Sequence, residues 1–90
     1  MQMWQETDQG GRLRVALFAG MAEQAGGRMA EIEWHGGTVA DLRRALAAAK
    51  PAIASLLARS AVAIGAAYAR DDAPVPSRAD IAIIPPVSGG

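Results

Sequence analysis

Two hydrophobic periods share this chain, and the change from one to the other at Gly36-Gly37 constrains the fold more than any other feature. Before the glycines the apolar residues alternate. Leu13, Val15, Leu17 and Ala19 fall on one side of residues 12–19, with Arg12, Arg14, Ala16 and Phe18 on the other. Over residues 28–34, Ala30, Ile32 and Trp34 alternate with Met29, Glu31 and Glu33. Both patterns predict half-buried strands, paired as a hairpin across a Gly-rich connector at 20–27 that holds a short helical turn over 21–25. After the glycines the period lengthens. Thr38 and Asp41 are spaced for a capping box, and Val39, Leu42, Leu46 and Ala49 recur at helical intervals as far as Lys50. Pro51 cannot continue that helix, so residues 51–58 read as a short second helical segment.

The rest of the chain returns to strands. Residues 61–64 and 66–69 flank Gly65, Arg70-Asp71-Asp72-Ala73-Pro74 is a turn, and Pro76 argues against a central strand at 75–79. Residues 80–84 form the last strand, with Ile81 and Ile83 on one side and Asp80, Ala82 and Ile84 on the other. Strands served by one long helix on a single face indicate an α+β two-layer domain. Size matters at this point. Of 90 residues 51% are hydrophobic, but 21 are alanine and only 25 are larger apolar side chains. That fills one small core and leaves nothing for a deep substrate cleft. Function is therefore expected on the surface or at an end. Residues 1–11, polar and aperiodic, read as a flexible N-terminal extension in which Trp4 alone could dock.

Several function classes fall away. Nine basic residues balance nine acidic ones without a like-charge run, which argues against nucleic acid as a partner. With no cysteine and a single histidine, disulfides, thiolate metal sites and multi-histidine metal sites are excluded. No stretch approaches the ~20 apolar residues of a membrane span. Glu6 and Asp8, with no apolar block, are unlike a signal peptide. A soluble, cytoplasmic protein is expected.

The most informative segment is Pro85-Pro86-Val87-Ser88-Gly89-Gly90. Two prolines cannot extend a sheet and project the chain as a stiff segment. The six residues span up to ~20 Å when extended. A carboxylate on Gly90 is the least hindered acyl group a polypeptide can present, and it is inert until activated. Residues 80–90, Asp80-Ile81-Ala82-Ile83-Ile84 followed by that segment, resemble the C-terminal signature of the small subunit of molybdopterin synthase, a ubiquitin-like sulfur carrier. Val15-Ala16-Leu17-Phe18-Ala19 is similar to the family's first strand, and Thr38-Val39-Ala40-Asp41-Leu42 to the start of its main helix. The chain departs from the family pattern at Ile64-Gly65-Ala66, at Ala79 and at Ala22-Glu23.

The resemblance implies a β-grasp (ubiquitin-like) fold over residues 12–90, a mixed sheet with one main helix packed across one face and a free tail at 85–90. It implies that an ATP-dependent activating enzyme adenylates Gly90 and that a sulfur donor protein converts it to a thiocarboxylate. The tail, Pro85, Pro86, Val87, Ser88 and Gly89, then enters the large subunit of a heterotetrameric synthase. There sulfur passes to a cyclic pyranopterin precursor in molybdenum cofactor biosynthesis. The chain itself would be no enzyme alone and would bind no metal or cofactor, ATP being used by the activating enzyme. Two alternatives stay open: a carrier for another thio-product of the thiazole type, and a ubiquitin-like modifier of protein lysines.

Other residues carry less. His35 reads as an exposed turn histidine, Asp71-Asp72 as turn chemistry, Arg43-Arg44 as the solvated helix face, and Trp34 as core. Phe18 and Ile84 differ, because each is the large apolar residue on its strand's polar side. First and last strands lie side by side and parallel in a β-grasp sheet, which would bring Phe18 and Ile84 together at the root of the tail. They are expected to form an exposed patch that docks the partner.

Overall fold

The computed structural model describes residues 11–86. Five strands form one sheet in the order β2-β1-β5-β3-β4. β1 (Arg12–Leu17) and β5 (Ile81–Ile84) are its parallel pair; β2 (Met29–Glu33), β3 (Ala61–Ile64) and β4 (Ala67–Ala69) run antiparallel to their neighbours. The mixed sheet with its helices on one face is the β-grasp arrangement. Residues 1–10 and 87–90 lie outside the described residues, and with them the expectations for the N-terminal extension, for Trp4 and for most of the tail. Gly11, assigned to that extension by sequence, instead belongs to the fold: its carbonyl accepts from Trp34 N at 2.8 Å.

Alternation in β1 buries Leu13, Val15 and Leu17 and exposes Arg12 and Arg14. The strand ends two residues earlier than its pattern suggests. Phe18 is still extended (φ −129°, ψ 157°), but Ala19 takes φ +53°, the one non-glycine among the described residues in the left-handed region. That conformation is costly for a residue with a Cβ, and it turns the chain abruptly into α1 (Ala19–Ala25). The connector thus holds two turns of helix rather than one. Gly26, at φ +88°, stops it, and the Gly26 and Gly27 amides both donate to Ala22 O, at 3.1 and 2.9 Å. Met21, inside this segment, is fully buried.

The main helix, α2 (Val39–Ala49), starts at a capping box. Thr38 Oγ1 accepts from Asp41 N at 3.3 Å, and Asp41 Oδ2 accepts from Thr38 N at 2.9 Å. Gly37 is held at φ +141°, and a Cβ there would stand 2.8 Å from Asp41 Oδ2, so glycine is required beside the box. Val39, Leu42 and Leu46 face the sheet and are fully buried. Ala49, expected to continue that stripe, is exposed. The helix ends one residue later, and Ile53, from the 3-10 turn Pro51–Ile53, is the next buried residue beyond Leu46. α3 (Ala54–Ala58) adds Leu57.

Opposite the helices stand Val15, Leu17, Ile32, Val62, Ile81 and Ile83, all buried. Trp34 is 4% exposed and its Nε1 donates to Val75 O at 3.1 Å, which ties the irregular 75–79 segment to the core. Arg43 is not a solvated residue as its charge suggests. Its Nη1 donates to Leu57 O at 2.7 Å and its Nε to Asp71 Oδ1 at 3.0 Å, clamping α3 and the following turn to α2. β4 begins at Ala67 and β5 at Ile81, each one residue later than the sequence pattern indicates.

Candidate partner-docking site

Burial of Leu17, Ile83 and Val62 against the helices dictates what the other face carries. Side chains alternate along a strand, and residues paired across strands share a face. The registers Ala16↔Met29, Ala16↔Ala82, Ala63↔Ala82 and Ala63↔Tyr68 therefore lay one continuous row across all five strands. It reads Met29, Ala16, Ala82, Ala63, Tyr68. Three alanines make a low floor between two large rim residues, Met29 at 49% and Tyr68 at 73% exposure.

A second apolar row lies beside the first. Ile84 pairs with Ala61, and the β1·β5 register, which reaches Leu17↔Ile83, advances by one step to Phe18 and Ile84 because Phe18 remains extended. Phe18 is 47% exposed and Ile84 is half-buried. The bend at Ala19 follows immediately, so Phe18 stands where β1 leaves the sheet. Pro85, half-buried, and exposed Pro86 continue from Ile84 at the edge of this row. Val87, Ser88, Gly89 and Gly90, the remaining residues read from sequence as the working end, lie outside the described residues.

Toward the other end of the same face the rows become charged. Arg14 pairs in register with Glu31, and Arg12 with Glu33. Arg12 Nη1 meets Glu31 Oε1 at 2.8 Å, a diagonal contact on an exposed surface that is worth little to stability. Half the open face is therefore apolar and adjoins the tail; the other half is ionic.

Sequence reasoning selected Phe18 and Ile84 but missed Tyr68 and Met29. Each of the latter is a single large residue in its strand, and only the strand order sets them on one row. The face holds no acid–base pair. Asp41 alone has a shifted ionisation, lowered chiefly by the hydrogen bond from the Thr38 amide and then by the Thr38 hydroxyl, and it belongs to the helix cap. Among the described residues, no group of three or more His, Cys, Asp or Glu side chains is placed to hold a metal ion. No helix among them is long and apolar enough to cross a membrane. What the arrangement offers is adhesion: an apolar platform beside a projecting chain end.

Residues 15–90 match the model of the ThiS family. The fold is similar to the crystal structure of SAMP1 from Haloferax volcanii, with TM-score 0.78 and 30% identity over 89% of this chain and 100% of that one. It is also similar to a protein from Pyrococcus furiosus described as a molybdopterin converting factor, subunit 1, with TM-score 0.74 and 22% identity over 84% of this chain and 98% of that one. A further likeness is to the small archaeal modifier protein 1 of Methanosarcina acetivorans, with TM-score 0.74 and 22% identity over 89% and 97% of the two chains. No curated protein sequence matches the chain.

Proposed function

The chain belongs to the ThiS family of ubiquitin-like sulfur carriers, and from that premise we propose that it is the sulfur-carrying small subunit of a molybdopterin synthase. One observation carries the reading: the parallel β1·β5 pairing joins the apolar face, through Phe18 and Ile84, to the root of Pro85-Pro86. A partner gripping that face is thereby positioned to receive Val87, Ser88, Gly89 and Gly90 into its own active site. The Pro-Pro-Val-Ser-Gly-Gly sequence supports the molybdopterin branch over a thiazole carrier.

The chemistry belongs to Gly90. Its carboxylate attacks the α-phosphate of ATP on an activating enzyme, releasing pyrophosphate and leaving an acyl adenylate. A persulfide donor displaces AMP and, after reduction of the sulfur–sulfur bond, leaves a thiocarboxylate. Within the large subunit that sulfur attacks the pyranopterin precursor, and hydrolysis of the acyl bond restores the carboxylate. The open face supplies only binding energy and position.

A second reading has its own support. The 30%-identical neighbour is SAMP1, and the M. acetivorans neighbour carries the words small archaeal modifier protein. Transfer of the same activated Gly90 to a lysine amine would make this chain a modifier. Intact mass separates the two. After incubation with activating enzyme, ATP and a sulfur source, a carrier gains ~16 Da as –COSH replaces –COOH, by ordinary acyl activation. Isopeptide adducts in cells without that gain would overturn the carrier reading. Deleting Gly90 withdraws the acyl group by ~3.5 Å, and ~1 Å of misplacement can cost about a hundredfold in rate. The truncated chain should melt like the full one and support no molybdopterin formation.

A further inference from the structure

We infer that Arg14 and the notch around it form a second contact point, which accepts a carboxylate side chain of the same protein that docks on the apolar rows. The inference rests on the proposed function for the partner's identity. Its basis is a mismatch between register and pairing. Arg14 stands directly opposite Glu31, the natural cross-strand partner. Glu31 instead engages Arg12, one pair further along, at 2.8 Å. Arg14 is left exposed, with no ion pair or hydrogen bond from its side chain to the described residues.

The surroundings suit an acid. A depression of about 410 Å³ at this end of the face is lined by Arg12, Arg14, Arg78 and Asp80, with Ala16 and Met29 joining it to the five-strand row. Three guanidinium groups face one carboxylate there, and Glu31 offsets only Arg12. Asp80 belongs to the same face: its carbonyl accepts from Gly65 N at 2.8 Å, extending the β3·β5 ladder, and it alternates with buried Ile81. It makes no ion pair with Arg14. A guanidinium is the group best shaped to take a carboxylate in two parallel hydrogen bonds.

Continuity with the apolar rows selects a protein acid over a free anion. Ala16 and Met29 belong to both features, so a body covering the floor between Met29 and Tyr68 also roofs the notch. Arg14 lies four residues from Phe18, about 13 Å at the rise of a strand. The partner must then present an acid about that far from the apolar residues that meet Phe18 and Ile84. Two separated anchors of different chemistry define an orientation, which a flat apolar face alone does not. The tail is aimed accordingly, and partners without the acid are penalised.

The test is titration of the full chain with the large molybdopterin synthase subunit of the same organism, at several salt concentrations. Arg14→Gln should bind about tenfold more weakly with a reduced salt dependence, and Arg14→Glu about a hundredfold more weakly, as for a charge that pairs across an interface. Arg14→Lys should recover part of the affinity, and an acid-to-lysine replacement on the partner should rescue Arg14→Glu. Tyr68→Ala should lose affinity while keeping the wild-type salt dependence. Thermal melting of each variant checks the fold, Arg14→Gln and Arg14→Lys serving if the reversal does not fold. Wild-type affinity and salt dependence in Arg14→Glu, with Tyr68→Ala impaired, would overturn the notch and leave the carrier reading standing. If wild-type chain acquires the thiocarboxylate yet does not bind the large subunit, both the notch and the synthase assignment fail. Equal competition by millimolar inorganic phosphate, or Arg14-dependent self-association in sedimentation, would assign the notch to a free anion or to a second copy and overturn it as well.

Discussion

The two faces of this sheet are built from the same strands and differ in the size of their apolar residues more than in polarity. On the helix side, Leu17, Ile83 and Val62 form one row, and Val15, Ile81 and Ile64 another. On the open side the matching central positions are Ala16, Ala82 and Ala63. Large side chains interdigitate with Val39, Leu42 and Leu46 of α2 and make the core; small ones make a floor that excludes little water and therefore costs little to leave bare. Large residues return only at the rim, at Met29 and Tyr68, and beside the tail at Phe18. A face can thus remain apolar and soluble in the free chain while waiting for a partner to supply the bulk.

Substitution on the two faces should separate stability from binding. The largest loss of stability is expected at Leu42, fully buried beneath the sheet. Leu42→Ala should cost roughly 2–4 kcal/mol in denaturant unfolding. A loss near that of surface substitutions, below about 0.5 kcal/mol, would mean that the helix side is not the core.

Phe18→Ala provides the converse. With Phe18 47% exposed, unfolding should change little. Affinity for the large subunit should fall by about 2 kcal/mol if the ring is an interface hot spot. Unchanged affinity together with a collapsed melting temperature would move Phe18 from the docking face to the core and erase the distinction between the faces.

Much of this contrast is legible in the sequence, for identifiable reasons. Alternation in β1, β2 and β5 assigns Leu13, Val15, Leu17, Ile32, Ile81 and Ile83 to one side without reference to any partner strand. Helical spacing does the same for Val39, Leu42 and Leu46. Strand order is a long-range property, so the row from Met29 to Tyr68 has no local signal. The bend at Ala19 has none either, because alanine is a poor indicator of a left-handed φ. Met21 lies in a seven-residue helix too short to show a period, and Val75 lies between two prolines, so neither reads as core. Arg43 looks solvated until the turn at Asp71 and the end of α3 are brought to it. For the candidate site, Phe18 and Ile84 stand out because a bulky apolar residue on a polar face is itself a local anomaly.

A smaller effect tests how the helix side is held. The α2 start is polar and lies on neither face, yet it fixes the helix that covers the core. Thr38→Ala removes the oxygen that accepts from Asp41 N and should cost about 1 kcal/mol, read as a lower denaturant midpoint. Affinity for the large subunit should be unchanged, since the cap is remote from the open face.

The smallest expected effect lies in the pH dependence of that cap. Hydrogen bonds from the Thr38 amide and hydroxyl favour ionised Asp41 and hold its carboxyl below the usual carboxylate range, with Arg44 adding a further favourable charge. A carboxylate whose folded pKa lies below its unfolded value stabilises the fold fully above the unfolded value, about 4, and loses that contribution as pH falls through the folded pKa. Wild-type chain should therefore melt above Asp41→Asn by a constant margin between pH 5 and pH 8. The margin should close progressively below about pH 4 as the wild-type carboxyl protonates. Melting curves at half-unit intervals measure it, with Arg44→Gln as a companion to remove the added charge. A margin that stayed constant down to pH 2, or that widened on acidification, would mean that ionised Asp41 does not secure α2, and that the helix side depends on its apolar contacts alone.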